Sequence, residues 1–274
     1  MKREEAFEWA AELEACLAKD LIDLWFPRCV RTEGGFHQVF DRGWQPIGEE
    51  DRFLVFQSRA VWAASTLAEA WPHRRSEMLG LVRHGLEMLR RMRSERGGMF
   101  LQSADPQGRA WSERAELQAT YPLAFALFAL SAAARVDESG EALRLAQETY
   151  RWIEAHHWDA ERGGYYELVR PDGSPVTEPM GLHLPRRTHN SAMHLFEAFL
   201  ELARVWPDPC VTESARRVLD WMVRFLLQER GTFLAWVDLD NRPIDGEIAY
   251  GHDVETAHLI LDALRFLPEA VDHE

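Results

Sequence analysis

Apolar residues recur at helical spacing through most of the chain, and short breaks rich in glycine and aromatics interrupt them at regular distances. The longest periodic segments, Arg52 to Trp71, Gln118 to Ala134, His189 to Trp206 and Asp253 to Leu267, each predict a long apolar helix. Between them Arg75 to Arg93, Glu141 to Ala155 and Thr212 to Leu227 alternate apolar and charged faces, as helices with one side in water do. Ala6 to Leu24 is a further amphipathic, charged segment.

The breaks are themselves a repeat. Gly34-Gly35-Phe36, Gly97-Gly98-Met99-Phe100 and Gly163-Gly164-Tyr165-Tyr166 recur about every sixty-five residues, with a degenerate copy at Gly231-Thr232-Phe233. Each aromatic stretch reads as a short strand, followed by a turn at Asp41-Arg42-Gly43, Asp105-Pro106-Gln107-Gly108, Asp172-Gly173 and Asp240-Asn241. An outer helix, a long loop carrying a small hairpin, an inner helix and a short return then alternate along the chain. Four such units predict an all-α toroid or solenoid of helical hairpins with every long loop at one end, where function is expected. No linker or low-complexity stretch divides it, so residues 1–274 are expected to form a single domain.

Composition narrows the partners. The 274 residues are 46% hydrophobic with 11 Trp, enough for a large core, and the net charge is -14. That acidity, with Arg interspersed among Glu and Asp, argues against nucleic acid. Cys16, Cys29 and Cys210 are odd in number and far apart, so neither a disulfide framework nor a thiolate metal site is expected. The uncharged run Leu117 to Ala134 contains Gln118, Thr120, Pro122 and Ser131 and reads as a buried helix, not a membrane span. The charged N-terminus has no signal-peptide core, which points to the cytoplasm.

Candidate chemistry gathers where the inner helices begin. Tyr250-Gly251-His252-Asp253-Val254-Glu255 places an imidazole and two carboxylates at a loop-to-helix junction, with His252 and Glu255 three apart on one face. Asn190, His194 and Glu197 share a face of the third inner helix, a polar stripe that needs partners if buried. Arg59, flanked by Phe56 and Trp62, and Tyr121 come from the first two inner helices. Pointed at one axis, these groups describe a pocket with a guanidinium, two imidazoles, an amide and aromatic walls, which suits a carbohydrate. The competing structural readings are that Arg59 pairs with Glu197 or Glu255, and that His156 and His157 serve a helix dipole. His37, His183 and His189 lie in or beside loops with no spacing that singles them out. His252 and Glu255 resemble a metal-ligand pair, but spacing supplies no third ligand, so neither a metal nor a cofactor is expected.

His189-Asn190-Ser191-Ala192-Met193-His194-Leu195-Phe196-Glu197-Ala198-Phe199, the 250–255 segment, and Gly34-Gly35-Phe36 with Phe53 to Arg59 together resemble the N-acylglucosamine 2-epimerase family. That family includes cellobiose 2-epimerases, mannose isomerases and sulfoquinovose isomerases. The resemblance implies an (α/α)6 barrel, of which about four of six hairpins are visible here. It implies a sugar 2-epimerase or aldose-ketose isomerase working through proton abstraction by histidine and an enediolate. By resemblance, His252 is a catalytic histidine, Glu255 the carboxylate that orients it, and Arg59 the arginine that stabilises the enediolate. Tyr121, Asn190, His194 and Trp62 would bind the sugar. The family pattern Asn-x-His-x-His has Ala192 at its first histidine here.

The family's second catalytic histidine belongs to a later repeat, and His273 lacks the surrounding pattern. A fragment, a naturally short member whose open barrel another chain closes, and a member that has lost the reaction all fit. Apolar inner-helix flanks at both open ends predict a homo-oligomer or poor solubility. Two other classes stand beside the isomerase: an inverting glycosidase on an α/α toroid, and a carbohydrate-binding protein without turnover.

Overall fold

The computed structural model of the chain describes residues 3–48, 51–180 and 185–264. The first helical stretch runs through α1 (Arg3–Cys16), a π-helical segment Leu17–Ile22 and α2 (Asp23–Cys29). Then come α3 (Leu54–Ala70), α4 (Arg75–Arg91), α5 (Thr120–Ala134), α6 (Glu141–His156), α7 (His189–Val205), α8 (Pro209–Phe225) and α9 (Tyr250–Ala263). The last starts two residues ahead of His252, and Leu267, its expected end, lies outside the described residues.

Helix packing sorts these into layers. α3 packs on α4 and α5, α5 on α6 and α7, and α7 on α8 and α9, so α3, α5, α7 and α9 form the inner layer. The helix read as buried from its uncharged run is α5, which buries Leu123, Phe125, Leu127 and Leu130 among others and is apolar around its whole circumference. Its hydroxyl at Ser131 donates back to the Leu127 carbonyl at 2.7 Å, which satisfies it without a partner from outside. Pro122 stands in the first turn of α5, where its missing N–H costs nothing.

The double-glycine breaks have a packing cause. Gly35 and Gly98 adopt φ of 72° and 80°. Behind each turn lies a buried glutamine: Gln57 Oε1 accepts from Phe36 N at 2.8 Å, and Gln118 Oε1 from Met99 N at 2.7 Å. A Cβ on Gly98 would lie 2.4 Å from the Gln118 side chain, so both the conformation and the close approach require glycine. In the third copy Arg187 lies as close behind Gly164, 2.7 Å from where a Cβ would stand, and donates to Asp159 at 2.6 Å.

Short strands tie neighbouring loops together around one rim. β1 (Arg52–Phe53) pairs antiparallel with β2 (Ser103–Ala104), β3 (Gln118–Ala119) with β4 (Leu168–Val169), and β5 (Arg186–Thr188) with β6 (Trp236–Asp238). The turns follow the expected positions in all four loops. In the fourth, the carboxylate of Asp238 at the start of the turn accepts from Asp240 N and Arg242 N at 2.9 and 2.8 Å. Asn241, at φ 62°, takes the place that Gly108 and Gly173 hold in their loops.

At the opposite end a belt of charge crosses the inner layer. Arg135 pairs with Glu69 at 2.8 Å and with Glu201, Glu201 with Arg204 at 3.2 Å, and Arg204 with Asp262 at 2.6 Å. The belt touches α3, the end of α5, α7 and α9. The two flanks of the layer stay open, as expected from the pattern: Phe7 and Trp9 on α1 are 64% and 59% exposed, Tyr250 and Val254 on α9 72% and 73%.

Candidate active site

The inner helices begin at the loop rim, so residues in their first turns face the space the loops surround. Arg59, in the second turn of α3, is exposed, and its guanidinium carbon sits 4.5 Å over the Phe125 ring of α5. No carboxylate pairs with it among the described residues, so the structural reading in which Glu197 or Glu255 neutralises Arg59 is not what the fold builds. A cation held by a ring face alone keeps its donors for a ligand.

Phe125 continues the chain of contacts. Its ring centroid lies 4.5 Å from the His194 imidazole of α7, and Tyr121, one turn earlier on α5, lies 5.0 Å from Phe125 and 5.5 Å from His194. His194 is 5% exposed, and its Nδ1 is 3.0 Å from Glu197 Oε2 one turn further along α7. Arg59, Tyr121 and His194, from three inner helices, are therefore linked through the Phe125 ring. Asn190 stands one turn before His194 on α7 and is half-buried.

Trp62 sits one turn below Arg59, about 5 Å deeper at ~1.5 Å per residue. One face stacks on Phe128, with centroids 5.4 Å apart and planes at 23°. It lines a cavity of about 230 Å³ shared with Phe128, Glu197 and His258 and with the belt residues Arg135, Glu201, Arg204 and Asp262. A second cavity, about 500 Å³, opens at the loop rim between Phe53, Gln102, Arg114, Ala119 and Glu167.

His252 lies apart from that group. It is half-exposed in the first turn of α9, and no hydrogen bond joins it to Glu255 among the described residues; Asp253 is turned away to accept from Phe233 N at 3.0 Å. What connects His252 to the rest is His189, the first residue of α7, whose ring lies 6.0 Å from His252 edge to face. His189 is buried, stacks on Phe233 at 4.7 Å, and its Nε2 is 2.8 Å from Thr256 Oγ1 of α9. Burial, then the neighbouring His252 and His194, push the His189 pKa down to about 4. It is a neutral pin between α7 and α9.

Two more buried groups support the rim. Glu167 accepts from Thr188 N at 2.9 Å, from Thr188 Oγ1 at 2.7 Å and from Ser191 Oγ at 2.7 Å, anchoring the start of α7. Burial raises its carboxyl pKa against those bonds. His157, fully buried, bonds Thr120 Oγ1 through Nδ1 at 2.7 Å, and desolvation lowers it to about 4. A neutral ring locked to α5 is a strut for that helix, which corrects the dipole reading for His157. His156 instead packs on Trp152 at 3.9 Å. His183 and His273 lie outside the described residues, and among those described no three metal-ligating side chains converge.

Comparison with known proteins now bears on this arrangement. The sequence profile of the N-acylglucosamine 2-epimerase (GlcNAc 2-epimerase) family matches residues 34–270, and the chain belongs to that family. It is 24% identical to a cellobiose 2-epimerase of Bacteroides fragilis, over 94% of this chain and 66% of that protein. It is 27% identical to a D-mannose isomerase of Marinomonas mediterranea, over 77% of this chain and 50% of that protein. The solved cellobiose 2-epimerase of Spirochaeta thermophila superposes with a TM-score of 0.86 at 26% identity, covering 97% of this chain and 65% of the other. The chain thus spans about two thirds or less of the length of these relatives. A family 76 glycoside hydrolase, at 12% identity and a TM-score of 0.61, shares the α/α fold alone.

Proposed function

We propose that this chain carries the sugar site of a 2-epimerase or aldose-ketose isomerase, acting on a reducing sugar by proton transfer at C2 through an enediolate. One observation supports this most: Arg59, an exposed guanidinium without a carboxylate partner among the described residues, and His194, a buried imidazole, both pack on the Phe125 ring near the loop rim. Membership of the family and the named activities of its relatives point the same way.

The division of labour follows from the chemistry of each group. The proton on C2, next to the open-chain carbonyl, is removed by a base near neutral pH, and His252 is the imidazole with access to solvent and substrate. As that proton leaves, charge builds on the carbonyl oxygen, where the Arg59 guanidinium offers fixed donors. Asn190, His194 and Tyr121 hold hydroxyls, and Trp62 closes the pocket below. Glu255, three residues after His252 on the same helix, is the carboxylate placed to orient the imidazole once substrate fixes the rotamers.

The inverting-glycosidase alternative needs two carboxylates free across a cleft. Glu197 is engaged with His194, and Asp253 with a backbone amide. The test is product analysis after incubation with free mannose, glucose, fructose and cellobiose, and separately with glycosides. A new C2 epimer or ketose with the glycosidic bond intact supports the proposal; release of free sugar from a glycoside overturns it.

A further inference from the structure

We infer that Glu197 is a positioning residue: it holds the Nδ1 proton of His194, so that in the neutral ring Nε2 is the bare nitrogen, an acceptor for a donating sugar hydroxyl. The inference rests on the sugar reading above for the identity of the ligand, and on geometry alone for the tautomer.

Three observations carry it. First, the contact is a 3.0 Å bond between Nδ1 and Oε2 across one helical turn, and a carboxylate only accepts hydrogen bonds, so the shared proton belongs to Nδ1. Second, Glu197 has no cation among the described residues. Glu201, one turn further along α7, is the carboxylate that pairs with Arg135 and Arg204 in the charge belt. Glu197 is thus not part of that framework, and the His194 ring is its recorded partner. Third, the rest of the imidazole is enclosed by rings, Phe125 at 4.5 Å and Tyr121 at 5.5 Å edge to face. With Nδ1 committed, the remaining nitrogen is the one left for a ligand.

The consequence is a complementary pair of contacts. Arg59 only donates and Nε2 of a neutral His194 held this way only accepts, so the two fix opposite ends of a hydroxyl and carbonyl arrangement. Without Glu197 the ring is free to take the other tautomer, presenting a donor to a donor. The same carboxylate borders the 230 Å³ cavity, with Trp62 and Phe128 opposite, so it also bounds how deep the sugar sinks.

The experiment is a long-range proton–nitrogen correlation spectrum of the histidine rings in the ¹⁵N-labelled full chain at neutral pH, with His194 assigned by His194→Gln. It is run on wild type, Glu197→Leu and Glu197→Gln, each then titrated with mannose and cellobiose. The wild type is expected to show His194 protonated at Nδ1. Glu197→Leu should lose that single tautomer and bind sugar about ten-fold more weakly, the worth of one hydrogen bond. Glu197→Gln, whose amide oxygen still accepts, should restore the tautomer and most of the affinity, which also answers whether Leu merely unfolds the site. A wild-type ring protonated at Nε2, or Glu197→Leu with unchanged tautomer and affinity, overturns the inference. If the wild type binds neither sugar while the Nδ1 tautomer is seen, the sugar reading falls and the positioning role stands.

Discussion

Two inner helices carry a histidine and a glutamate three residues apart, and the fold treats them differently. On α7, His194 and Glu197 are bonded at 3.0 Å; on α9, His252 and Glu255 are half-exposed and no bond joins them. The spacing is the same, so the difference lies in the surroundings. α7 is flanked by inner helices on both sides, α5 and α9, and rings from α5 hold the His194 rotamer. Among the described residues α9 packs on one inner helix, α7, and shows Val254 and Tyr250 to solvent. Spacing places two side chains on one face; packing decides whether they meet.

The comparison breaks or sharpens under mutation. The largest effect belongs to His252. As the proposed base it should lower C2 proton exchange by about 10²–10⁴-fold on replacement by Ala, with fold intact by circular dichroism. If the paired His194 were the base instead, His194→Ala would take that loss and His252→Ala would not.

Next comes pH, through the rings between the two pairs. His189 and His157 sit near pKa 4 when folded, below the ordinary histidine value of about 6.5. The unfolded chain therefore binds more protons than the folded one between those values, and stability rises with pH across that window. Acidification from pH 7 to below 4 should cost on the order of 3 kcal/mol for each ring. Urea titrations at pH 7, 5.5 and 4.5 measure it; a slope about halved in His157→Gln and in His189→Gln, and nearly flat in the double variant, assigns it.

A smaller effect tests the pin itself. Thr256→Val removes the hydroxyl that bonds His189 Nε2 and should cost about 1–3 kcal/mol by leaving a buried polar nitrogen unpaired. It should also release α9 from α7 and lower exchange through His252, leaving the His194 tautomer unchanged. The smallest effect is at Glu255. Its side chain makes no hydrogen bond or ion pair among the described residues, so Glu255→Gln should change stability by less than about 0.5 kcal/mol and act on turnover alone.

How much of this was legible beforehand follows the same division. The inner and outer helices, the double-glycine turns and the rim could be read because periodicity and positive-φ glycine are local signals. Arg59, Tyr121 and His194 were legible as a set because each starts an inner helix in a repeat. The partner of His194 was visible only as a residue on the same face. His189 was legible as the start of α7 but had no spacing to single it out, and only the packing of Phe233 and Thr256 around it reveals the link to His252. His157 misled because its place after a helix suggests a dipole partner, while burial against Thr120 keeps it neutral. The fourth turn could be read without a glycine because Asn241 takes the positive φ that Gly108 and Gly173 take in their copies.

The central claim is that this site removes the C2 proton of a reducing sugar, with His252 as the base. Proton NMR in D2O tests it most directly, following the C2 signal of mannose, glucose, fructose, N-acetylglucosamine, N-acetylmannosamine and cellobiose with the wild-type chain and His252→Ala. The account predicts that the C2 proton of at least one aldose washes out with the wild type and persists with the variant. Washout at the same rate with both, or none with any sugar, would contradict it.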